Sequence, residues 1–106
     1  PKDNQGLGRT FSPTDLVASS LASCMITIIA IAKRTHSLNI DAMNADVDKI
    51  MSSSLPRKIS QINVKISIQG NLDDKSKLII ERSAKNCPVH HTLGSDTIID
   101  LSFNYS

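Results

Sequence analysis

The stretch SPTDLVASSLASCMITIIAIAKR, residues 12–34, decides the fold. It opens with Ser12, Pro13 and Asp15, which suits a helix start. A hydroxyl there accepts from an orphan N–H, a proline ring lacks no needed donor, and an acid sits near the positive end of the dipole. Lys33, Arg34 and His36 place cations where the dipole is negative. Between these ends Leu16, Val17, Leu21, Met25, Ile26, Ile28, Ile29 and Ile31 leave little polar surface, and Ser19, Ser20, Ser23 and Thr27 are small. A helix over residues 13–35 that is apolar on most sides belongs in a core, covered by a sheet on one side and a partner chain on another. Cys24 lies mid-helix, on the stripe with Leu21, Met25 and Ile28.

Working outward, residues 1–11 hold two glycines and several turn-formers and read as a loop. After the helix, Leu38, Ile40, Ala42, Ala45 and Val47 alternate with polar residues, with a phase slip at Met43–Asn44 that predicts a bulged strand. Residues 52–56 form a loop. Ile59, Ile62, Val64, Ile66 and Ile68 make the clearest strand, whose other face, Asn63, Lys65, Ser67 and Gln69, should meet solvent. Capping side chains at 71–74 start a second helix carrying Leu78, Ile79, Arg82 and Ala84, and Pro88 ends it. A helical turn from Val89 to Leu93 follows, with Gly94 at its end. The last strand, residues 97–105, alternates Ile99, Leu101, Phe103 and Tyr105 with polar residues. The order predicts one α+β domain over residues 1–106, its long central helix packed on an antiparallel sheet beside a second, shorter helix. So apolar a helix outgrows one small sheet, which predicts a tight homodimer.

Bulk properties exclude several classes. A hydrophobic content of 40% with 21% charged residues argues for a folded globular chain rather than disorder. Twelve basic and ten acidic residues are mixed along the chain, and only three residues are aromatic, so no basic stripe or stacking platform for nucleic acid is expected. The longest apolar run, Met25 to Ala32, is short of a membrane span. No charged-then-apolar leader opens the sequence, so a cytoplasmic location is expected. The start at Pro1 reads as processed or clipped, with strands ahead of it missing.

Chemistry has few candidate carriers. Cys24 is either a small hydrophobe filling the core or a reactive thiol, and the hydroxyls of Ser20, Ser23 and Thr27 within a turn favour the second. Cys87 precedes Pro88 where a helical turn begins. Free N–H groups there would stabilise a thiolate and lower the thiol pKa, unless the residue merely packs a corner. His90 and His91, three and four residues on, raise a Cys24–Cys87–His zinc site, but no ligand-pair spacing supports it and no metal is expected. Arg9, Arg34, Arg57 and Arg82 could each face a thiolate, and Arg9 alone lies beside the start of the Cys24 helix. Asp15 is most simply a capping acid.

SPTDLVASSLASC and NCPVHHTL together resemble the OsmC/Ohr family of osmotically inducible and organic hydroperoxide resistance proteins, in the OsmC-like branch. The first matches the family's helix start leading to a cysteine, the second its Cys–Pro–Val turn, and elements from Gly6 onward stand in the right order. The resemblance implies an OsmC-like fold on an entwined homodimer in the cytoplasm, and a thiol-dependent peroxidase acting in stress defence without a cofactor. It implies that Cys24 is the peroxidatic residue, attacking an organic hydroperoxide, and that Cys87 resolves its sulfenic acid as a disulfide. A dithiol, lipoyl-linked in some members, would restore both thiols. Thr14 stands where the hydroperoxidases keep a glutamate, with Asp15 next to it. Their arginine comes from strands preceding this helix, and Arg9 is its nearest counterpart here. Thr14, Asp15, Arg9 and His90 are thus the supporting candidates. The alternative is a dimer that binds an apolar ligand or thiol in its cleft without turnover.

Overall fold

The computed structural model describes residues 11–106. The loop expected over residues 1–11 falls almost wholly outside them, as does Arg9. Helix α1 runs Pro13–His36, followed by β1 (Ile40–Met51), β2 (Ile59–Gly70), α2 (Asp74–Lys85), α3 (Pro88–Leu93) and β3 (Ile98–Tyr105).

The start of α1 is a full capping box. The Ser12 hydroxyl accepts from the Asp15 N–H at 3.0 Å, and the Asp15 carboxylate accepts from the Ser12 N–H at 3.1 Å. Two donors that lack helical partners are thereby satisfied at once. Ser12 is itself buried, so its truncation leaves a donor with neither protein nor water. Ser12→Ala is expected to cost about 1 kcal/mol. Thermal unfolding should show the midpoint falling by roughly 4–8 °C. At the other end Ser37 adopts the left-handed conformation and its N–H bonds back to the Lys33 carbonyl.

Along α1, Ala18, Leu21, Ala22, Met25, Ile29 and Ala32 are buried, a stripe that follows the 3.6-residue period. By length and composition α1 could cross a bilayer, contrary to the short-run expectation, yet this stripe is packed in a protein core. The opposite side leaves Leu16 at 56% and Ile31 at 44% exposure.

Strands β1 and β2 pair antiparallel, and β2 and β3 pair parallel, in the order β1–β2–β3. The expected antiparallel arrangement therefore holds for the hairpin and not for β3. The loop of residues 52–58 turns the chain straight back, so β1 and β2 run oppositely, whereas α2 and α3 carry the chain back along the sheet and β3 enters from the same end as β2. The β1 register shifts between Ile40 and Ala42 and again between Ile50 and Met51, with unbroken pairing from Ala42 to Ile50. The bulge therefore precedes the expected slip at Met43–Asn44, and Ala42 turns outward, exposed, while Met43, Ala45 and Val47 turn inward. Ile62, Val64, Ile66 and Ile68 form the buried centre, as their alternation predicted.

Gly70 closes β2 where only a hydrogen fits: a Cβ there would collide with the Asn39 backbone carbonyl oxygen. Tyr105 donates to Glu81 at 2.8 Å and carries Lys77 over its ring at 4.9 Å, fastening β3 to α2. Burial and the facing Glu81 carboxylate push the Tyr105 hydroxyl pKa strongly upward.

Candidate functional site

Cys24 is half-buried on α1 and packs against the core, while Cys87 is fully buried inside it. Helices α1 and α3 are in contact, and Cys24 lies close enough to Cys87 to influence its titration. Both sulfurs are free thiols.

Cys87 ends one helix segment and starts the next. Asn86 caps α2, Pro88 occupies the first turn of α3, and Cys87 is the α3 N-cap. Its Sγ accepts from the His90 N–H at 3.3 Å, and its carbonyl accepts from the His91 N–H at 3.2 Å. The expected lowering of the Cys87 pKa is overturned. Loss of water around the buried sulfur raises it most, the His90 N–H opposes this, and the neighbouring Cys24 raises it further. Desolvation acts on the whole thiolate charge, whereas one N–H of a short helix supplies only a partial charge. Burial thus holds the Cys87 thiol in its protonated form, and Cys24 is the more exposed of the two sulfurs.

The hydroxyls around Cys24 do not surround it with donors. Ser20 donates to the Leu16 carbonyl at 2.7 Å and Thr27 to the Ser23 carbonyl at 2.8 Å, so both serve their own helix. Ser23 is on another face, lining a groove of about 320 Å³ with Ser19, Ala22, Ile26, Ala45 and Val47. A second concavity of about 350 Å³ involves Asn44, Ser67, Gln69 and Asn104 on the outer side of the sheet. Neither is lined by a thiol.

Thr14 and Asp15 sit in the first turn of α1, well before Cys24 at its middle. Thr14 Oγ1 shares a hydrogen bond with Ser12 Oγ at 3.0 Å, and Asp15 belongs to the capping box. Ten helical residues span about 15 Å, so within the chain neither side chain reaches Cys24. Asp15 also pairs with Lys49 Nζ at 3.0 Å. Lys49 was missed in the sequence, although its place in line with Met43, Ala45 and Val47 marks it as inward-facing, and its side chain is only 16% exposed.

The Ser12 N–H first, then Lys49, hold the Asp15 carboxyl down from 3.8 to about 2. The folded state therefore binds this proton less tightly than the unfolded chain. The stabilisation is complete above the unfolded value and is lost as pH falls through the folded one. Asp15→Asn should unfold at lower temperature than the wild type near pH 7. The gap should close as unfolding is repeated at pH values from about 4 down to about 2.

His91 is exposed, with Nε2 2.9 Å from Asn86 Oδ1, and His90 is half-buried with its ring edge-on to His91. Among the described residues no three His, Cys, Asp or Glu side chains gather as a metal site requires. Arg34 and Arg82 are exposed on α1 and α2, and Arg57 lies in the hairpin loop.

A half-buried thiol on a long core helix, beside a buried thiol that caps a short helix in a crossover, defines a two-cysteine α+β protein. The chain belongs to the OsmC-like family: the family profile described as OsmC-like protein matches residues 5–102. Among curated proteins none matches. A solved structure from Psychrobacter arcticus, assigned to the osmotic-stress and detoxification response, is 41% identical with a TM-score of 0.89 and aligns over 98% of this chain and 75% of its own. The organic hydroperoxide resistance protein OsmC of Legionella pneumophila is 15% identical with a TM-score of 0.83, over 98% of this chain and 77% of its own. An organic hydroperoxide resistance protein of Elizabethkingia anophelis is 13% identical with a TM-score of 0.84, over 100% and 77%. These last two are similar in fold.

Proposed function

We propose that the protein is a cytoplasmic, homodimeric thiol peroxidase that reduces organic hydroperoxides in oxidative-stress defence. The observation that carries this is the pairing of a partly exposed free thiol, Cys24, with a fully buried one, Cys87. Membership of the OsmC-like family and the likeness to two organic hydroperoxide resistance proteins support it.

In the proposed cycle the Cys24 thiolate attacks the terminal peroxide oxygen. The O–O bond breaks, Cys24 becomes a sulfenic acid, and the alkoxide leaves as alcohol after taking a proton. Cys87 sulfur then attacks the Cys24 sulfur, the S–O bond breaks, and water departs as the disulfide forms. An external dithiol reduces the disulfide by two exchange steps. Val17, Ile28 and Ile31 share the side of α1 that carries Cys24, and such an apolar stripe suits an alkyl or aryl hydroperoxide. The exposed apolar side of α1 is the surface a second copy would cover.

A second reading has one observation in its favour: Asp15 is held by its cap and by Lys49 at the far end of the helix, and Thr14 carries no charge. In that reading the same dimer binds an apolar ligand or a thiol without turnover. Intact mass of the reduced full-length protein, before and after one equivalent of cumene hydroperoxide, separates the two. A loss of about two mass units, replaced by addition of one oxygen in Cys87→Ser, is the result expected of the cycle. An unchanged mass overturns it and leaves the binding reading.

A further inference from the structure

We propose that α3 is a redox-dependent latch, held closed by the Cys87 thiol in the reduced protein and released when that sulfur joins Cys24 in a disulfide. The inference rests on the two-cysteine cycle above and concerns what the disulfide does to the fold.

Helix α3 has six residues and buries none of them fully. A helix this short does not sustain itself and depends on its end contacts. Those contacts are the His90 N–H on Cys87 Sγ at 3.3 Å, the His91 N–H on the Cys87 carbonyl at 3.2 Å, Thr92 Oγ1 on the Pro88 carbonyl at 2.9 Å, and the His91–Asn86 side-chain pair at 2.9 Å. The N-cap bond alone passes through the sulfur. At the other end Gly94 closes the helix with no side chain to anchor it.

Disulfide formation removes the Cys87 proton with the departing water and brings the sulfurs to about 2 Å, against roughly 3.5–4 Å for unbonded contact. Both sulfurs are free thiols in the reduced protein, so at least one must move for the bond to form. Cys24 sits midway along a 24-residue helix, where displacement would disturb regular helical hydrogen bonds, whereas Cys87 has extended backbone at the junction of α2 and α3. Cys87 is therefore the sulfur that shifts, and its shift withdraws the cap from the His90 N–H. The opened turn uncovers the Cys87 side of the disulfide, which is fully buried in the reduced protein, to the incoming dithiol.

Hydrogen–deuterium exchange on the full-length protein, read on a peptide spanning residues 87–94, tests this. The reduced protein is compared with samples oxidised by cumene hydroperoxide or by diamide, each with its disulfide verified by intact mass. The His90 and His91 amides are expected to exchange about fivefold faster when oxidised, with β2 amides unchanged. Cys87→Ser keeps an oxygen cap and forms no disulfide, so it should exchange slowly with and without oxidant. A verified disulfide with unchanged exchange at His90 and His91 overturns the latch and leaves the cycle intact. Faster exchange with diamide, when hydroperoxide gives no disulfide, supports the latch and overturns the peroxidase. No disulfide with either oxidant overturns both.

Discussion

Cys24→Ser is expected to abolish consumption of organic hydroperoxide, lowering kcat/KM by more than about 100-fold, measured with cumene hydroperoxide and a dithiol reductant. The loss follows from the nucleophile. A serine hydroxyl stays protonated near neutral pH, and its oxygen cannot accept the peroxide oxygen as sulfur does. Cys87 cannot substitute: it is fully buried, and loss of water around it pushes its pKa up, so it offers neither access nor thiolate. Cys87→Ser should behave differently, completing one turnover and then holding Cys24 as a sulfenic acid. The two variants thus separate attack from resolution, which a single loss of activity would not. Because Cys24 is half-buried, exchanging sulfur for oxygen there should move the unfolding midpoint little, and a large thermal shift would assign the loss to folding instead.

The parts of this site that were legible in the sequence are those set by local chemistry. Ser12, Pro13 and Asp15 announced the start of α1, and the structure shows the capping box those residue types build. The break at Cys87 was legible because proline restricts the residue before it, and Cys87 is indeed the N-cap of α3. What stayed hidden depends on neighbours distant in the chain. The direction of β3 is set by where α2 and α3 deliver the chain, which no strand pattern encodes. The Cys87 pKa turns on desolvation by the core that gathers around it, and that outweighs the helix end visible in the sequence. The hydroxyls near Cys24 misled for a related reason: residue type gives a donor, but only the structure shows that Ser20 and Thr27 donate to their own helix. Lys49 lay between, since its inward place follows from alternation but its partner Asp15 lies across the fold.

Ile66→Ala is expected to cost about 3–4 kcal/mol, a large share of the stability of a domain this size. Ile66 is fully buried at the centre of β2, opposite Ala45 on β1 and Phe103 on β3. Ala45 is too small to lean into the vacated volume, and Phe103 is held in a stack with Tyr105, their ring centroids 6.1 Å apart. The cavity therefore stays largely open, and its surface adds to the lost transfer energy of the removed methyl and methylene groups. Against a total stability of about 5–15 kcal/mol, the midpoint in urea should fall sharply with its slope unchanged. Ile98→Ala makes the comparison informative, because it deletes the same atoms from a side chain 61% exposed at the end of β3. On the isolated chain that change should stay within about 0.5 kcal/mol. A much larger cost at Ile98, growing with protein concentration, would mean that a second copy covers this end of the sheet as well as the open side of α1.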